Sequence, residues 1–303
     1  MAKGKVGIVG LGIMGGAFAQ NLVAAGWRVH GHDIDPARRR AMARAGVALV
    51  PDAKALAAEV PVIITSLPEP AALDVTVEAI VDARARPRVI VEASTFTIDD
   101  KLRAERALRA AGHLMLDCPV SGTGAQAKVK DLVVYASGGG KAIRRLRPLF
   151  AGFARAMHDL GAFGNGSRMK YVANLLVAIN NVAAAEAMVL GLKAGLPAQT
   201  VFDMVTAGAG NSRVFELRAP MMVKDRYDAP TMKVSVWQKD MAVIGAYARE
   251  IGVPTPMFDA TVPVYDKAMR TGHAEEDTAA VCAVLEAMAG VKRSKKNGRA
   301  KRR

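Results

Sequence analysis

Lys170 and Asn174 stand four residues apart in Gly164-Asn-Gly-Ser-Arg-Met-Lys170-Tyr-Val-Ala-Asn174, so on a helix they share a face. An amine beside a carboxamide can exchange a proton with a hydroxyl or carbonyl while its neighbour holds the group that carries it. A helical lysine is more often a surface charge. This one lies on an apolar, Asn-rich stretch, where partial desolvation would disfavour the ammonium form. A second small and polar segment is Asp117-Cys-Pro-Val-Ser121-Gly-Thr-Gly124. Pro119 stands two residues before Ser121, where a nucleophile elbow needs glycine. The Ser121 hydroxyl and the backbone amides of Gly122 and Thr123 therefore suit holding a carboxylate better than attacking a carbonyl. Arg213, in Gly210-Asn-Ser-Arg213, is a further candidate anion contact, with an ordinary surface arginine as the plain alternative.

The third constellation is Gly10, Leu11, Gly12, Ile13, Met14 and Gly15, which follows the strand-like run Lys5–Val9 and opens a helical pattern. Glycines at this spacing allow a tight turn, close approach of backbone to a pyrophosphate, and close helix–strand packing, with the helix N-terminus favouring the anion. Asp33 follows 18 residues after Gly15, at the end of the second strand-like run. A carboxylate there accepts hydrogen bonds from the adenosine ribose and repels a 2′-phosphate, which favours NAD. Arg38, Arg39 and Arg40 lie just downstream and keep NADP as the alternative. Other chemistries find fewer residues. No Tyr is followed four residues later by Lys, and no P-loop Lys-Ser/Thr follows the first glycines. His273, Glu275, Glu276 and Asp277 have no second His nearby in sequence, so they read as a solvated turn and no metal site is expected.

The elements that must carry these groups change character along the chain. Short β-branched runs at Val6–Val9, Arg28–His32, Val47–Val50, Val62–Leu67, Val89–Ala93, Leu114–Asp117, Leu132–Ser137 and Met157–Leu160 alternate with helical patterns. Such alternation implies right-handed βαβ units and a largely parallel sheet. Asp35-Pro36 reads as an N-cap followed by Pro at the first helical position. Beyond Gly161 strand-like runs nearly vanish. One long helix spans about Ser167–Ala194, and helical stretches follow at Pro197–Thr206, Asn211–Met222, Val234–Ile251, Phe258–Thr271 and Asp277–Gly290. The domains expected are 1–163, an α/β nucleotide-binding domain, 164–290, an all-helical domain, and 291–303, a basic tail.

Composition bounds the rest. The chain has 303 residues, is 51% hydrophobic and carries a net charge of +14. Eight of its 42 Lys+Arg fall in residues 291–303, which hold no acid, so more than half of the excess sits in the tail. The reading is a solvated, disordered extension; no aromatic side chain interleaves to stack on bases, so nucleic acid is not the expected partner. Two cysteines, Cys118 and Cys282, make no disulfide scaffold and no zinc module. The apolar stretch Val172–Leu192 contains Asn174, Asn180, Asn181 and Glu186, too polar for a lipid-facing span. A cytoplasmic protein without a membrane partner is expected.

Taken together, Gly10–Trp27, Ser94-Thr95, Asp117–Ala125, Gly164–Leu176 and Trp237-Gln-Lys239-Asp240 resemble, in order, the β-hydroxyacid dehydrogenases. These are the 3-hydroxyisobutyrate dehydrogenase-like enzymes related to 6-phosphogluconate dehydrogenase, and the resemblance covers nearly all of residues 4–290. It implies a Rossmann-type doubly wound sheet followed by an all-α domain built on a long interdomain helix and used to form a homodimer or homotetramer. It further implies NAD or NADP as cofactor, contacted by Leu67, Ser94, Thr95 and Lys239. A small carboxylate substrate would be held by Ser121, Gly122 and Thr123, with Asn174 orienting it and Lys170 as the acid/base. The reaction implied is interconversion of a 3-hydroxyacid and its semialdehyde or keto acid. Three positions depart from the family loop: Thr123, Gln126 and Lys130 each replace a glycine, so the acid pocket is expected to differ. Two other classes share the architecture. Imine reductases usually lack a lysine at the position of Lys170, and a non-catalytic, nucleic-acid-binding relative would use the basic tail.

Overall fold

Six of the β-branched runs pair into one parallel sheet in the computed structural model, which describes residues 3–293. The strands are β1 (Lys5–Val9), β2 (Arg28–His32), β3 (Ala48–Leu49), β4 (Val62–Thr65), β5 (Val89–Glu92) and β6 (Leu114–Asp117). Their order is β3-β2-β1-β4-β5-β6, with every pair parallel. Helices α1 (Ile13–Ala24), α2 (Pro36–Arg44), α3 (Ala53–Glu59), α4 (Pro70–Asp82) and α5 (Ile98–Ala110) connect them. Two apolar clusters form the core, one with Ile8, Phe18, Leu22 and Phe153, the other with Leu56, Ile63, Ile80 and Leu108. The strand order reverses between β1 and β4, and a doubly wound sheet opens its ligand crevice at that switch. The α2 start follows the sequence reading: the Asp35 carboxylate accepts the Ala37 N–H at 2.7 Å, with Pro36 at the first helical position.

The later strand-like runs do not extend this sheet. β7 (Val120–Ser121), β8 (Val133–Ala136) and β9 (Ala156–Asp159) form a separate sheet in the order β7-β8-β9, joined by α6 (Gly124–Lys128), α7 (Gly140–Arg145) and α8 (Arg147–Phe153). β7 is antiparallel to β8 and was not expected from sequence, being two residues long. The reason lies at the end of β6. The Asp117 N–H donates to the Ser137 carbonyl at 3.0 Å and the Ser137 N–H returns to the Asp117 carbonyl at 2.8 Å, so a returning segment takes the edge where another parallel strand would pair.

The chain divides into two compact units, Met1–Ala173 and Asn174–Arg303. The division falls within α9 (Asn165–Lys193), 29 residues long. The second unit contains α10 (Ala198–Ala207), α11 (Arg213–Lys224), α12 (Val234–Glu250), α13 (Pro256–Arg270), a single 3₁₀ turn (Thr278–Ala280) and α14 (Val281–Ala289). By length and composition α9 could cross a membrane. Its polar groups are instead met by protein: Asn181 donates to the Tyr265 hydroxyl and the Thr278 carbonyl, both at 2.9 Å. A buried amide nitrogen bonded in this way fits the core helix of a helical domain, although the Asn181 carbonyl oxygen has no partner among the described residues. Within the same unit Arg218 grips both oxygens of the buried Asp277 carboxylate at 2.7 and 2.8 Å.

The basic tail divides at the edge of the described residues. Arg293 is not an unattached extension: its guanidinium pairs with Glu286 of α14 and donates to the Val223 carbonyl at 3.2 Å. That carboxylate, one turn from the helix end, is what sequence reading overlooked. Residues 294–303, and with them the remainder of the tail reading, lie outside the described residues.

Candidate active site

The dinucleotide loop leaves no room for a side chain at two of its glycines, Gly10 and Gly15. Gly10 has φ +89°, and a Cβ there would stand 2.2 Å from the Ser66 carbonyl oxygen; at Gly15 a Cβ would stand 1.9 Å from the Gly10 carbonyl oxygen. Leu11 is buried, while Ile13 is exposed in the first turn of α1 and Met14 is half-buried. The Leu11 N–H donates to the Asp33 carboxylate at 2.7 Å, and the other Asp33 oxygen accepts the Asp35 N–H at 2.8 Å. Asp33 therefore does more than sequence suggested: it anchors the glycine loop as well as standing at the end of β2. Of the three arginines, Arg38 reaches it, with a guanidinium nitrogen 3.6 Å from Asp33 and another 3.4 Å from Asp35. Bare backbone at Gly10 and Gly15 beside this carboxylate is compatible with a dinucleotide.

Each Asp33 oxygen keeps acceptor capacity beyond the backbone donor it already accepts. Asp33→Asn is expected to weaken NAD⁺ by about 10-fold or more, the usual size of a lost hydrogen bond to a charged group. NADP⁺ affinity should fall less, or rise, because a negative charge is removed. Fluorescence titration with both dinucleotides checks this; an equal loss for the two would make Asp33 a loop anchor alone.

On the other side of the switch, Leu67 follows β4 and its N–H donates to the Ser94 hydroxyl at 2.9 Å. The Ser94 N–H donates to the Glu92 carboxylate at 2.8 Å, and Thr95, half-buried, is the next residue. Glu92 in turn faces the ammonium group of Lys101, 2.6 Å away, and the same nitrogen donates to Asp117 at 2.7 Å. Both Lys101 and the two carboxylates are fully buried. Asp117 is the junction. One of its oxygens accepts the Ser167 N–H at 2.8 Å, the other the Ser167 hydroxyl at 2.8 Å, and the Ser137 hydroxyl lies 3.3 Å away. This carboxylate closes β6, begins the Ser121 loop, and fixes the first turn of α9, three residues before Lys170.

Lys170 is only 9% exposed, and Tyr171 beside it donates its hydroxyl to the Phe96 carbonyl at 2.5 Å. Asn174, on the same face of α9, donates its amide to Asp240 at 2.8 Å, which turns its carbonyl oxygen the other way. Lys239, partly exposed on α12, lies 4.0 Å from Asp240. Arg213 stands 66% exposed at the start of α11 and pairs with Glu216 at 2.8 Å. That local pairing draws it toward its own helix.

The Ser121 loop carries side chains, as its sequence requires, at positions where the family it resembles has glycine. Gly122 has φ +130°, and Ser121, Gly122 and Thr123 are half-buried. The Thr123 N–H donates to the Gln126 carboxamide oxygen at 3.0 Å. Lys130 takes φ +61°, the left-handed conformation that suits glycine. Asn21 of α1 donates to the Ala127 carbonyl at 2.7 Å in a buried contact, so α1 grips α6, the short helix that follows the Ser121 loop.

Sequence reading missed Asp117, Glu92, Lys101 and Asp240. Lys101 had a signal: it falls three and seven residues before the buried Ala104 and Leu108, on the apolar stripe of α5. Asp240 lay beside Lys239 but had no partner until the fold was known. Among the described residues no group of three or more His, Cys, Asp or Glu is placed to hold a metal; His273 pairs with Glu276 at 2.6 Å.

The comparisons with known proteins agree with this architecture. Residues 5–162 match the NAD binding domain of 6-phosphogluconate dehydrogenase, and residues 164–285 match the NAD-binding domain of NADP-dependent 3-hydroxyisobutyrate dehydrogenase. L-threonate dehydrogenase of Cupriavidus necator is 33% identical over 93% of this chain and 96% of its own. A 3-hydroxyisobutyrate dehydrogenase structure from Mycobacterium tuberculosis, with L-serine, superposes with a TM-score of 0.84 at 30% identity, covering 94% of this chain and 99% of that one. An imine reductase from Myxococcus stipitatus, at 16% identity and a TM-score of 0.62, shares the fold. With both halves matched and relatives of this kind along nearly the whole length, the chain belongs to the β-hydroxyacid dehydrogenase family of NAD(P)-dependent 3-hydroxyacid oxidoreductases.

Proposed function

We propose that this protein interconverts a small 3-hydroxycarboxylate and its semialdehyde or keto acid, with Lys170 as general acid/base. The observation that carries the reading is the Asp117 junction. One buried carboxylate begins the Ser121 loop and pins Ser167, so the carboxylate-binding loop and the first turns of the lysine helix are positioned by the same side chain. When bound, the nicotinamide supplies the hydride acceptor or donor. The chain's own task is then binding and proton transfer. The Ser121 hydroxyl and the Gly122 amide hold the acid. Asn174, one turn on from Lys170 along the helix, orients the substrate and leaves the hydroxyl proton to the amine. Lys170 Nζ takes the hydroxyl proton during oxidation and returns it to the carbonyl oxygen during reduction.

Asp33 supports NAD over NADP. Lys239 and the Leu67 and Ser94-Thr95 segments are assigned to the cofactor, and Arg213 to a peripheral anion contact. A cytoplasmic location is supported by two buried thiols left unpaired, Cys118 and Cys282. Val172, Leu176 and Leu190, exposed along α9, support assembly into a homodimer or homotetramer through the helical unit.

Threonate and 3-hydroxyisobutyrate, named for the relatives, lead the test set. Short 3-hydroxyacids are supplied with NAD⁺ and NADP⁺ and the reduced nicotinamide is followed by absorbance. Turnover of at least one hydroxyacid is expected. Reduction of cyclic imines with no hydroxyacid turnover would move the chain to the imine reductases.

A further inference from the structure

The acid loop holds an occupant of its own. The Gln126 carboxamide oxygen accepts the Thr123 N–H at 3.0 Å and lies 3.4 Å from the Thr123 hydroxyl. A Cβ on Gly122 would come within 3.4 Å of the same oxygen, so it rests against both loop residues. Its orientation is not interchangeable with that of the amide nitrogen. Gln126 Nε2 donates to Asp131 at 2.9 Å, and a carboxylate there can only accept. Asp131 is itself held by Arg155 at 2.8 Å. The chain Arg155–Asp131–Gln126 therefore fixes an acceptor oxygen at the corner where a bare loop would present the Thr123 amide as a donor.

We propose that Gln126 is a specificity-determining residue, which withholds the Thr123 amide from the substrate carboxylate and selects acids that bring a hydroxyl to that corner. The inference rests on the proposed hydroxyacid dehydrogenase reading. A carboxylate oxygen placed against Gln126 Oε1 meets another acceptor and is repelled. A hydroxyl placed there donates to it. The favoured class is thus a hydroxylated 3-hydroxyacid, with a further alcohol next to the carboxylate, over an alkyl-substituted acid of the same length.

The test uses the full chain with NAD⁺ and two substrates, 3-hydroxyisobutyrate and threonate. The wild type should favour threonate in kcat/KM. Gln126→Ala removes the acceptor and frees the amide. KM for 3-hydroxyisobutyrate should then fall by about 10-fold, the usual gain from a hydrogen bond to a charged group, with kcat little changed. KM for threonate should rise. Gln126→Glu still offers the Thr123 amide an acceptor, but it loses the donor to Asp131 and adds a negative charge, so KM for 3-hydroxyisobutyrate should rise instead. A side chain that merely supported the loop would give losses on both acids in both variants, and that result, or unchanged KM values, overturns the proposal. Binding of isobutyrate, which has no hydroxyl to oxidise, is measured by calorimetry alongside. Tighter isobutyrate binding by Gln126→Ala with no turnover of any hydroxyacid would sustain the role of Gln126 and defeat the dehydrogenase reading. Normal turnover with unaltered isobutyrate binding would do the reverse.

Discussion

Lys170→Ala is expected to lower kcat by about 10²- to 10⁴-fold, the span that general acid–base help usually supplies. The oxidation needs the hydroxyl proton removed as the hydride departs, and without the amine only water can accept it. Cofactor affinity should change little, because the dinucleotide loop is held by Asp33 through the Leu11 and Asp35 amides. Substrate KM should move less than kcat, since a group used mainly in the transition state lowers turnover rather than ground-state binding. Steady-state kinetics on the best hydroxyacid, together with dinucleotide titration, separates the two effects. A variant with near-normal kcat would remove Lys170 from the mechanism and with it the main reason for setting the imine reductases aside.

The second large effect concerns stability. Lys101→Met is expected to destabilise the first unit by about 3–5 kcal/mol, the usual cost of leaving a buried charge without its partner. Two carboxylates face this one ammonium, and both are out of water. The surplus negative charge is met by the Ser167 N–H in the first turn of α9, where the helix dipole favours it. Burial alone would lower the Lys101 pKa; Asp117 and Glu92 outweigh it and raise the value above that of an ordinary lysine. A raised folded-state value means the contribution is whole below the unfolded-state pKa and is lost only as pH climbs through the higher one. The contribution of Lys101 to the wild type should therefore stay flat from about pH 6 to 9, while the variant should regain some stability toward acid as its stranded carboxylates take up protons. Urea unfolding at several pH values measures it. Adding Glu92→Gln to Lys101→Met should recover part of the loss, because one unpaired charge is removed. A gap below about 1 kcal/mol would mean that water or rearrangement replaces the lysine.

Much of this arrangement was legible in residues that act alone. Glycine spacing announced the dinucleotide loop, an Asp-Pro pair the start of α2, and the loss of β-branched runs after Gly161 the helical half. Groups that act through partners were not legible. Asp117 became a junction only when the fold brought Ser167, Ser137 and Lys101 around it, from positions 16 to 50 residues distant. The second sheet escaped because β7 is two residues long and its pairing depends on Ser137 returning to the edge of β6. Substitution at Thr123 and Gln126 signalled a changed pocket, yet not that one side chain would occupy the other's amide. Arg213 is a further case: its type suggested an anion contact, and sequence reading overlooked its ion pair with Glu216 three residues on.

The buried bond from Asn21 to the Ala127 carbonyl runs from the helix that opens under the dinucleotide to the short helix that carries the acid loop. On the proposed assignment of the two sites, it is a route by which the two ligands can be thermodynamically coupled. Any settling of α1 when the pyrophosphate binds is passed to Ala127, and thus to Thr123 and Gln126. By reciprocity, the factor by which dinucleotide tightens the acid must equal the factor by which acid tightens the dinucleotide. Apolar replacement of Asn21 would uncouple them, leaving each ligand to bind as though the other were absent.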